Sequence, residues 1–79
     1  NNQAEIIHAQ ALKTSKLINK SIQDSDLPDG IRIGLLKRTD KILVPDKDTI
    51  IKENDEVIIL SMADTIHDAE ELFQVRGAF

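Results

Sequence analysis

The sequence predicts a small α+β domain, in which a mostly antiparallel sheet and its helices form two layers. The 79-residue chain is 41% hydrophobic and 30% charged, which is typical of a folded globular domain. Its apolar residues are almost all aliphatic, with 12 Ile and 8 Leu against 2 Phe and no Trp or Tyr. Their spacing alternates between helical and extended periods, which predicts the order strand, helix, three or four strands, helix.

The first third of the chain predicts a strand, a helix and a turn. Residues 4–9 have the pattern of a short strand. Residues 13–23 predict a two-turn helix, because Thr14 or Ser15 can accept hydrogen bonds from its first turn. The apolar residues of that helix share one side and are Leu17, Ile18 and Ile22. Residues 24–30 contain Pro-Asp-Gly, which is a strong turn signal.

A period of two predicts strands in the middle of the chain. The first begins at Ile31, with Ile31, Ile33 and Leu35 on one face and Arg32, Gly34 and Leu36 on the other. Residues 37–41 form a tight turn into a second strand over 41–44, which Pro45 and Asp46 end. Residues 49–51 are a short extended piece.

The last third predicts a turn, the most apolar strand and a helix. Asn54 is the residue of the 52–56 turn best able to adopt a positive φ. Residues 57–62 are apolar on both faces, so we expect a central or doubly covered strand. Asp64 is expected to cap a helix that runs to about Gln74. Its apolar stripe is Ile66, Ala69, Leu72 and Phe73. The domain then spans 5–74, with flexible ends at 1–4 and 75–79.

Composition argues against several functional classes. The chain has no Cys, which excludes disulfides, thiolate metal sites and a cysteine nucleophile. Its apolar runs are far shorter than the roughly 20 residues that span a bilayer, so we expect no membrane insertion. The first residues lack the pattern of a signal peptide. A net charge of −4 and the lack of Tyr and Trp disfavour nucleic-acid binding.

No catalytic or metal-binding constellation emerges from the motifs. His67 and Glu70 are three apart on a predicted helix, but two ligands are at best half of a zinc site. The acidic cluster that begins at Asp46 lacks the glycine of an EF-hand loop, because Ile51 stands there. None of the serines has a Gly-x-Ser-x-Gly context, and the 3 glycines form no phosphate-binding motif.

The sheet is expected to be apolar on a second face as well. By strand parity this face holds Ile7, Leu36, Leu43, Ile58 and Leu60. A second apolar face calls for another helix or a partner chain. Arg32 either faces solvent on this face, or reaches a ligand or carboxylate beneath a second subunit. The residues therefore favour a dimeric interaction or regulatory module over an enzyme.

Several strings, in this order, resemble the C-terminal domain of TrkA-type potassium-uptake regulators, also called the C-terminal RCK domain. Residues 14–28 resemble its first helix and exit turn, and Ile-Arg-Ile-Gly-Leu-Leu over 31–36 resembles its first hairpin strand. Residues 48–60 resemble its hallmark turn and central strand, although Asn54 stands where the family usually has Gly. Residues 68–74 resemble its closing helix.

The resemblance implies a non-catalytic domain that follows a nucleotide-binding domain absent from this chain, so no cofactor is expected here. It implies homodimers in a cytoplasmic assembly, held at the inner face of the membrane by a potassium channel or transporter subunit. Some members bind small effectors, including cyclic di-adenosine monophosphate or divalent cations, at the dimer interface. The matching positions here are Arg32, Ile33, Val44 and Pro45.

One departure concerns that cyclic dinucleotide. The family places a basic residue before the strand that begins at Ile31, whereas this chain has Asp24, Asp26 and Asp29. Arg32 is the basic residue placed to substitute for it. Alternative settings for the same module are other ion or organic-anion transporters and transcription regulators. A third alternative is a fragment of a metal-dependent hydrolase that uses His67 and Glu70.

Overall fold

The chain folds around one five-stranded antiparallel sheet. The computed structural model describes residues 3–12, 15 and 17–78, with side chains through Phe73. The strands are β1 (Ala4–Ala11), β2 (Ile31–Arg38), β3 (Lys41–Leu43), β4 (Glu56–Met62) and β5 (Phe73–Ala78). Their order across the sheet is β3-β2-β4-β1-β5, and every neighbouring pair is antiparallel. The predicted α+β architecture is therefore confirmed.

Strand β4 is central, as its apolar sequence predicts. It pairs with β1 on one side and with β2 on the other. Val57, Ile59 and Ser61 turn toward the core and are buried, whereas Ile58 and Leu60 lie on the opposite face. A strand with neighbours on both sides and large aliphatic side chains on both faces anchors the register of the whole sheet.

A bulge at Gly34 changes the predicted parity of β2. The pairing with β4 shifts between Ile33 and Leu35, so that Leu36 lies opposite Val57 and is fully buried. Leu35 is turned to the other face and is exposed. Strict alternation assigned these two leucines to the wrong faces, because one extra residue in a strand inverts every position after it. Leu43, opposite Leu36, moves with it to the core side.

Ile7 is also on the other face from the one predicted. It is opposite Ile59 and is buried in the core, while its neighbour Ile6 is opposite Leu60 and exposed. The second apolar face exists, but only Ile58 and Leu60 of its predicted members belong to it.

The segment predicted as the first helix has no α-helix over residues 17–25. Thr14 lies outside the described residues, and Ser15 Oγ accepts a hydrogen bond from the backbone N–H of Leu17 at 3.2 Å. Asn19 has a φ of 66°, which an α-helix does not allow. The Asn19 N–H donates to the Ile51 carbonyl at 2.7 Å, and the Ile51 N–H donates to the Lys20 carbonyl.

The same segment continues to pair with the chain before Ile51. Ser21 forms a bridge with Ile50, and the Ile22 N–H donates to the Thr49 carbonyl. A short 3-10 helix follows over Gln23–Ser25. Tertiary pairing therefore replaces the helical hydrogen bonds, although the predicted apolar residues Leu17, Ile18 and Ile22 still face the core.

The C-terminal helix is shorter than predicted and is followed by a strand. Asp64 lies in a 3-10 turn over Ala63–Thr65, and α1 (Ile66–Leu72) begins after Thr65 without a side-chain cap. The helix ends at Leu72 because Phe73 adopts an extended backbone and begins β5, which pairs with β1. Residues 75–78, expected as part of a flexible end, are thus in the sheet. Ala4, expected in the other end, pairs with Met62.

Two layers enclose the core. The covered face of the sheet supplies Ile7, Ala9, Ala11, Ile31, Leu36, Val57, Ile59 and Phe73, and the second layer supplies Leu17, Ile51 and Ala69. The second layer consists of α1 and the segments around residues 17–27 and 45–51. The opposite side of the sheet, here called the open face, carries none of the described elements. Among the described residues no helix is long and apolar enough to cross a membrane.

Candidate functional site

Three of the four predicted site residues line one groove, namely Arg32, Ile33 and Pro45. The groove has a volume of about 670 Å³ and is lined by residues 22–23, 26–33 and 45–47. Val44 follows β3 and is 82% exposed, but it does not line the groove. The structure thus brings together three residues that lie on two separate segments of the chain.

The groove lies where the first half of β2 has no outer neighbour. Strand β3 pairs only with Leu36–Arg38, so the described strands leave residues 31–35 at an edge. The Gly30 carbonyl accepts a hydrogen bond from the Met62 N–H at 2.9 Å. Because bonded pairs alternate in antiparallel ladders, Arg32 bonds with Leu60, and the backbone groups of Ile33 point toward the groove.

Two turns form the walls of the groove. In the first, Asp26 has a φ of 55° and Gly30 a φ of 93°, and the Ile31 N–H donates to the Pro28 carbonyl at 3.1 Å. In the second, Asp46 Oδ1 accepts a hydrogen bond from the Asp48 N–H at 2.9 Å. The Asp46 side chain thus fixes the second turn, and in the first turn Asp26 is a residue type that tolerates the left-handed backbone.

The electrostatic character of the groove is mixed. Its lining includes the carboxylates of Asp26, Asp29 and Asp46 and the cationic groups of Arg32 and Lys47. The lining also includes Gln23, Gly30 and six apolar residues, namely Ile22, Leu27, Pro28, Ile31, Ile33 and Pro45. The balance of one extra negative charge disfavours a dense polyanion as ligand.

A buried ion pair beside the turn at Asn54 is the main feature that the sequence did not reveal. Asp55 is 2% exposed. Arg38 donates two hydrogen bonds to its carboxylate, with an Nε–Oδ1 distance of 2.9 Å and an Nη2–Oδ2 distance of 2.7 Å. Asp55 Oδ2 also accepts the Lys52 N–H at 2.8 Å, and Arg38 Nη2 donates to the Ile50 carbonyl. The pair therefore ties the end of β2 to the 50–55 turn.

The charge of Arg38 is reinforced by this contact. Its hydrogen bond to Asp55 raises the pKa of the guanidinium above its ordinary value, opposed in part by burial. A raised pKa adds stability that is lost only when the pH rises through that value, so Arg38 stays charged throughout the neutral range. The available sequence signal was an acidic residue directly before the most apolar strand, with a basic residue at the end of β2.

The histidine and acidic residues do not form a metal site in the described chain. His67 Nε2 lies 3.4 Å from Glu71 Oε1, not beside Glu70 as the spacing had suggested, and both side chains are largely exposed. No group of three His, Cys, Asp or Glu side chains gathers within residues 3–12, 15 and 17–78. The hydrolase alternative gains nothing from this geometry.

The comparisons with known proteins agree with one another. Residues 10–74 match the sequence profile of the TrkA-C domain family. The Trk system potassium uptake protein TrkA of Azorhizobium caulinodans is 39% identical over 75 residues, and that of Halomonas elongata is 37% identical over 80. These alignments cover 95% and 96% of this chain but 16% and 18% of the two relatives. The chain therefore spans about a sixth of their length.

A solved structure shares the fold. It is described as an RCK domain with cda, and it superposes with a TM-score of 0.72 over 89% of this chain and 99% of that one. The sequence identity is 19%, so this likeness concerns the arrangement of the backbone.

Proposed function

Since this chain belongs to the TrkA-C domain family, we propose that it is the non-catalytic regulatory domain of a TrkA-type potassium-uptake system. The observation that carries the proposal is the profile match over residues 10–74, which includes β2, β4 and α1. The relatives from Azorhizobium caulinodans and Halomonas elongata, both named as Trk potassium uptake proteins, support the choice of potassium over other transported ions. In this proposal the domain carries no cofactor of its own.

We further propose that a small effector binds in the groove beside β2. Arg32 offers the charge, Ile33 and Pro45 offer apolar contact, and Val44 lies just outside at the margin. The backbone edge at Ile33 supplies hydrogen-bonding groups. The solved RCK domain, whose description names cda, supports a ligand role for this fold, while the three groove carboxylates disfavour a strongly anionic ligand here.

The proposed setting is a homodimer on the cytoplasmic side of the membrane, attached through a potassium channel or transporter subunit. The open face supports the dimer, because large apolar side chains on a small domain are stabilised by burial against a partner. The charge of −4 and the lack of Tyr and Trp support a protein partner over a nucleic acid.

Replacing the matching segment of a relative tests the potassium assignment. This chain would replace the aligned 75 residues in TrkA of Azorhizobium caulinodans, expressed in cells that lack TrkA. We expect the chimera to restore potassium uptake at low external potassium, whereas TrkA without the segment does not. A chimera that accumulates normally but leaves uptake at the level of the deleted protein would contradict the assignment and favour another transporter.

Thermal melts test the groove. The probes are cyclic dinucleotides, adenine nucleotides and divalent cations, each added to the purified chain. Ligand at 100 times its Kd stabilises a protein by about 2.7 kcal/mol, which for this size raises Tm by on the order of 10–20 °C. Arg32→Ala should abolish a shift caused by a nucleotide, while Lys41→Ala, an exposed basic residue outside the groove, should keep it. A panel without any shift would reject the effector proposal.

A further inference from the structure

The turn that leads into β2 contains an aspartate followed directly by a glycine. Residues 28–31 form this turn, which the Ile31 N–H closes by donating to the Pro28 carbonyl at 3.1 Å. Gly30 is its third residue and has a φ of 93°, which is the geometry of a type II turn. Asp29 is the only aspartate of the chain that has glycine after it.

Two groups that can react with each other are accessible at this position. Asp29 and Gly30 are both exposed. Within the described part of the chain, the Asp29 carboxylate has no hydrogen-bond or ion-pair partner, and the Gly30 N–H has no acceptor. The closing bond of a type II turn joins its first and fourth residues, so the N–H of the third residue remains available.

Glycine removes the main obstacle to a reaction between these groups. The backbone nitrogen after an aspartate can attack the side-chain Cγ and close a five-membered ring. A Cβ on the following residue crowds that approach, and Gly30 has none. Asp29 Cγ and the Gly30 nitrogen are therefore the least hindered pair of this kind in the chain.

Other aspartates and asparagines are held differently. The Asp55 carboxylate is buried and accepts three hydrogen bonds. Asp46 uses its Oδ1 to accept the Asp48 N–H. After Asn19 and Asn54, the next N–H along the chain already donates to a backbone carbonyl. Each of these residues lacks a free side chain, a free following N–H or a following glycine.

We infer that Asp29 is a site of spontaneous isomerisation to isoaspartate, a covalent modification of the groove wall that needs water but no enzyme. In the first step the Gly30 nitrogen bonds to Cγ of the protonated Asp29 carboxyl group, the bond from Cγ to the hydroxyl breaks, and the amide proton leaves with that hydroxyl as water. The product is a cyclic imide.

Water opens this imide in the second step. Addition at Cγ breaks the new bond and returns aspartate. Addition at the Asp29 backbone carbonyl carbon breaks the original peptide bond, so that Gly30 stays attached through Cγ as isoaspartate. One water is lost and one is gained, so the mass of the chain is unchanged.

The turn itself sets how fast the ring can close. Asp29 must rotate out of its turn geometry before Cγ reaches the Gly30 nitrogen. Exposed turns open at a small cost in free energy, and this one is closed by a single backbone bond. We therefore expect the folded chain to react more slowly than a peptide of residues 26–33, but faster at Asp29 than at any other described aspartate.

The product changes the wall of the groove. Isoaspartate adds one carbon to the main chain and turns the Asp29 backbone carbonyl into a carboxylate. The longer turn no longer holds the Ile31 N–H on the Pro28 carbonyl, and it displaces the Gly30 carbonyl, which accepts the Met62 N–H at 2.9 Å. Because Asp29 and Gly30 line the groove, we expect the modified chain to have an altered groove and a lower Tm.

Incubation in heavy-oxygen water tests the site. Opening of the imide takes up one solvent oxygen, which peptide mapping by mass spectrometry locates, and electron-transfer fragmentation distinguishes isoaspartate from aspartate. We expect label and isoaspartate at Asp29 and neither above background at Asp55. Absence of both at Asp29 while the peptide of residues 26–33 reacts, or equal amounts at Asp26 and Asp46, would overturn the inference.

Two substitutions make the chemistry specific. Asp29→Glu keeps the charge but would need a six-membered ring, so the label should disappear from this peptide. Asp29→Asn forms the same imide with ammonia as the leaving group, and it should react faster. A label that persists in Asp29→Glu would contradict the inference. These measurements involve no effector, partner or transporter, so their failure is distinguishable from failure of the proposed function.

Discussion

Asp55 shows how one buried carboxylate fixes a turn. Its Oδ1 accepts a hydrogen bond from Arg38 Nε, and its Oδ2 accepts one from Arg38 Nη2 and one from the Lys52 N–H. The structure leaves no buried side-chain polar atom without a partner among the described residues. The left-handed φ of Asn54, directly before it, was predicted from the residue type and is confirmed at 70°.

Replacing Asp55 by Ala should cost about 2–4 kcal/mol of unfolding free energy, because the Lys52 N–H and part of Arg38 lose their acceptor. Asp55→Asn keeps an acceptor for the Lys52 N–H and should cost less. Denaturant unfolding measures both values. Equal losses for the two variants would mean that the retained neutral acceptor contributes nothing and that the charge of Asp55 carries the whole effect.

At the scale of elements, residues 17–25 can be interpreted from the sequence as a helix, but the structure shows a segment that pairs with another part of the chain. The spacing of Leu17, Ile18 and Ile22 fits a helix, yet the described backbone pairs with residues 47–51 instead. Periodicity correctly identified which side chains face the core. It could not identify the backbone, because the competing partner lies some thirty residues further along the chain.

The two interpretations predict opposite signs for Asn19→Ala. In a helix, alanine would gain up to about 0.7 kcal/mol in propensity. At a φ of 66° it should instead lose about 1 kcal/mol, because its Cβ crowds the following carbonyl. Asn19→Gly should be close to neutral. A more stable Asn19→Ala variant in urea unfolding would contradict the turn.

The glycines at the two ends of the exposed β2 edge should respond differently to a methyl group. Gly30 has a φ of 93°, and an added Cβ would lie 3.1 Å from Thr65 Cγ2 and 3.3 Å from Met62 Cγ. Gly30→Ala should therefore cost about 1–3 kcal/mol. At Gly34 the nearest atom is the Ile58 carbonyl oxygen at 3.6 Å, which is ordinary contact.

Gly34→Ala should accordingly leave stability unchanged or raise it by up to about 1 kcal/mol, since alanine restricts the unfolded chain. Thermal melts of the two variants, run side by side, make the comparison. A loss at Gly34 as large as that at Gly30 would show that the bulge itself requires glycine.

The bulge also explains why the candidate surfaces could be predicted only in part. Arg32 and Ile33 precede it and keep the opposite faces that simple alternation assigns to them, while their grouping as site residues came from the family resemblance. Leu35 and Leu36 come after it and exchange faces. A single unpaired residue leaves no distinct signal in the sequence, because Gly34 is equally compatible with a regular strand.

For the whole molecule, the succession of β1 to β4 along the chain and the central position of β4 were predicted from apolar spacing and turn signals, whereas the strand order across the sheet and β5 were not. Phe73 continues the apolar spacing of α1, so the change from helix to strand at that residue is not visible in the pattern. The chain becomes a strand at Phe73 because β5 pairs with the outer edge of β1.

Phe73 should be decisive for global stability. It is the largest fully buried side chain and lies opposite Ala11. At about 0.05–0.15 kcal/mol per residue, a chain of this length has roughly 4–12 kcal/mol in total. Phe73→Ala should remove about 3–5 kcal/mol of it, and Phe73→Leu markedly less. Calorimetry that found a small loss for Phe73→Ala would mean that β5 contributes little to the core.

The position of β1 in the sheet also has a consequence during synthesis. Its neighbours are β4 and β5, which are synthesised after the other described strands. Until residue 62 has emerged, β1 has no strand with which to pair, and Ile6 and Ile7 remain in contact with water. Pairings between such distant segments slow folding, and unpaired apolar strands are prone to aggregate. We therefore expect the nascent domain to fold late and in a single cooperative step. Until then, we expect it to bind chaperones.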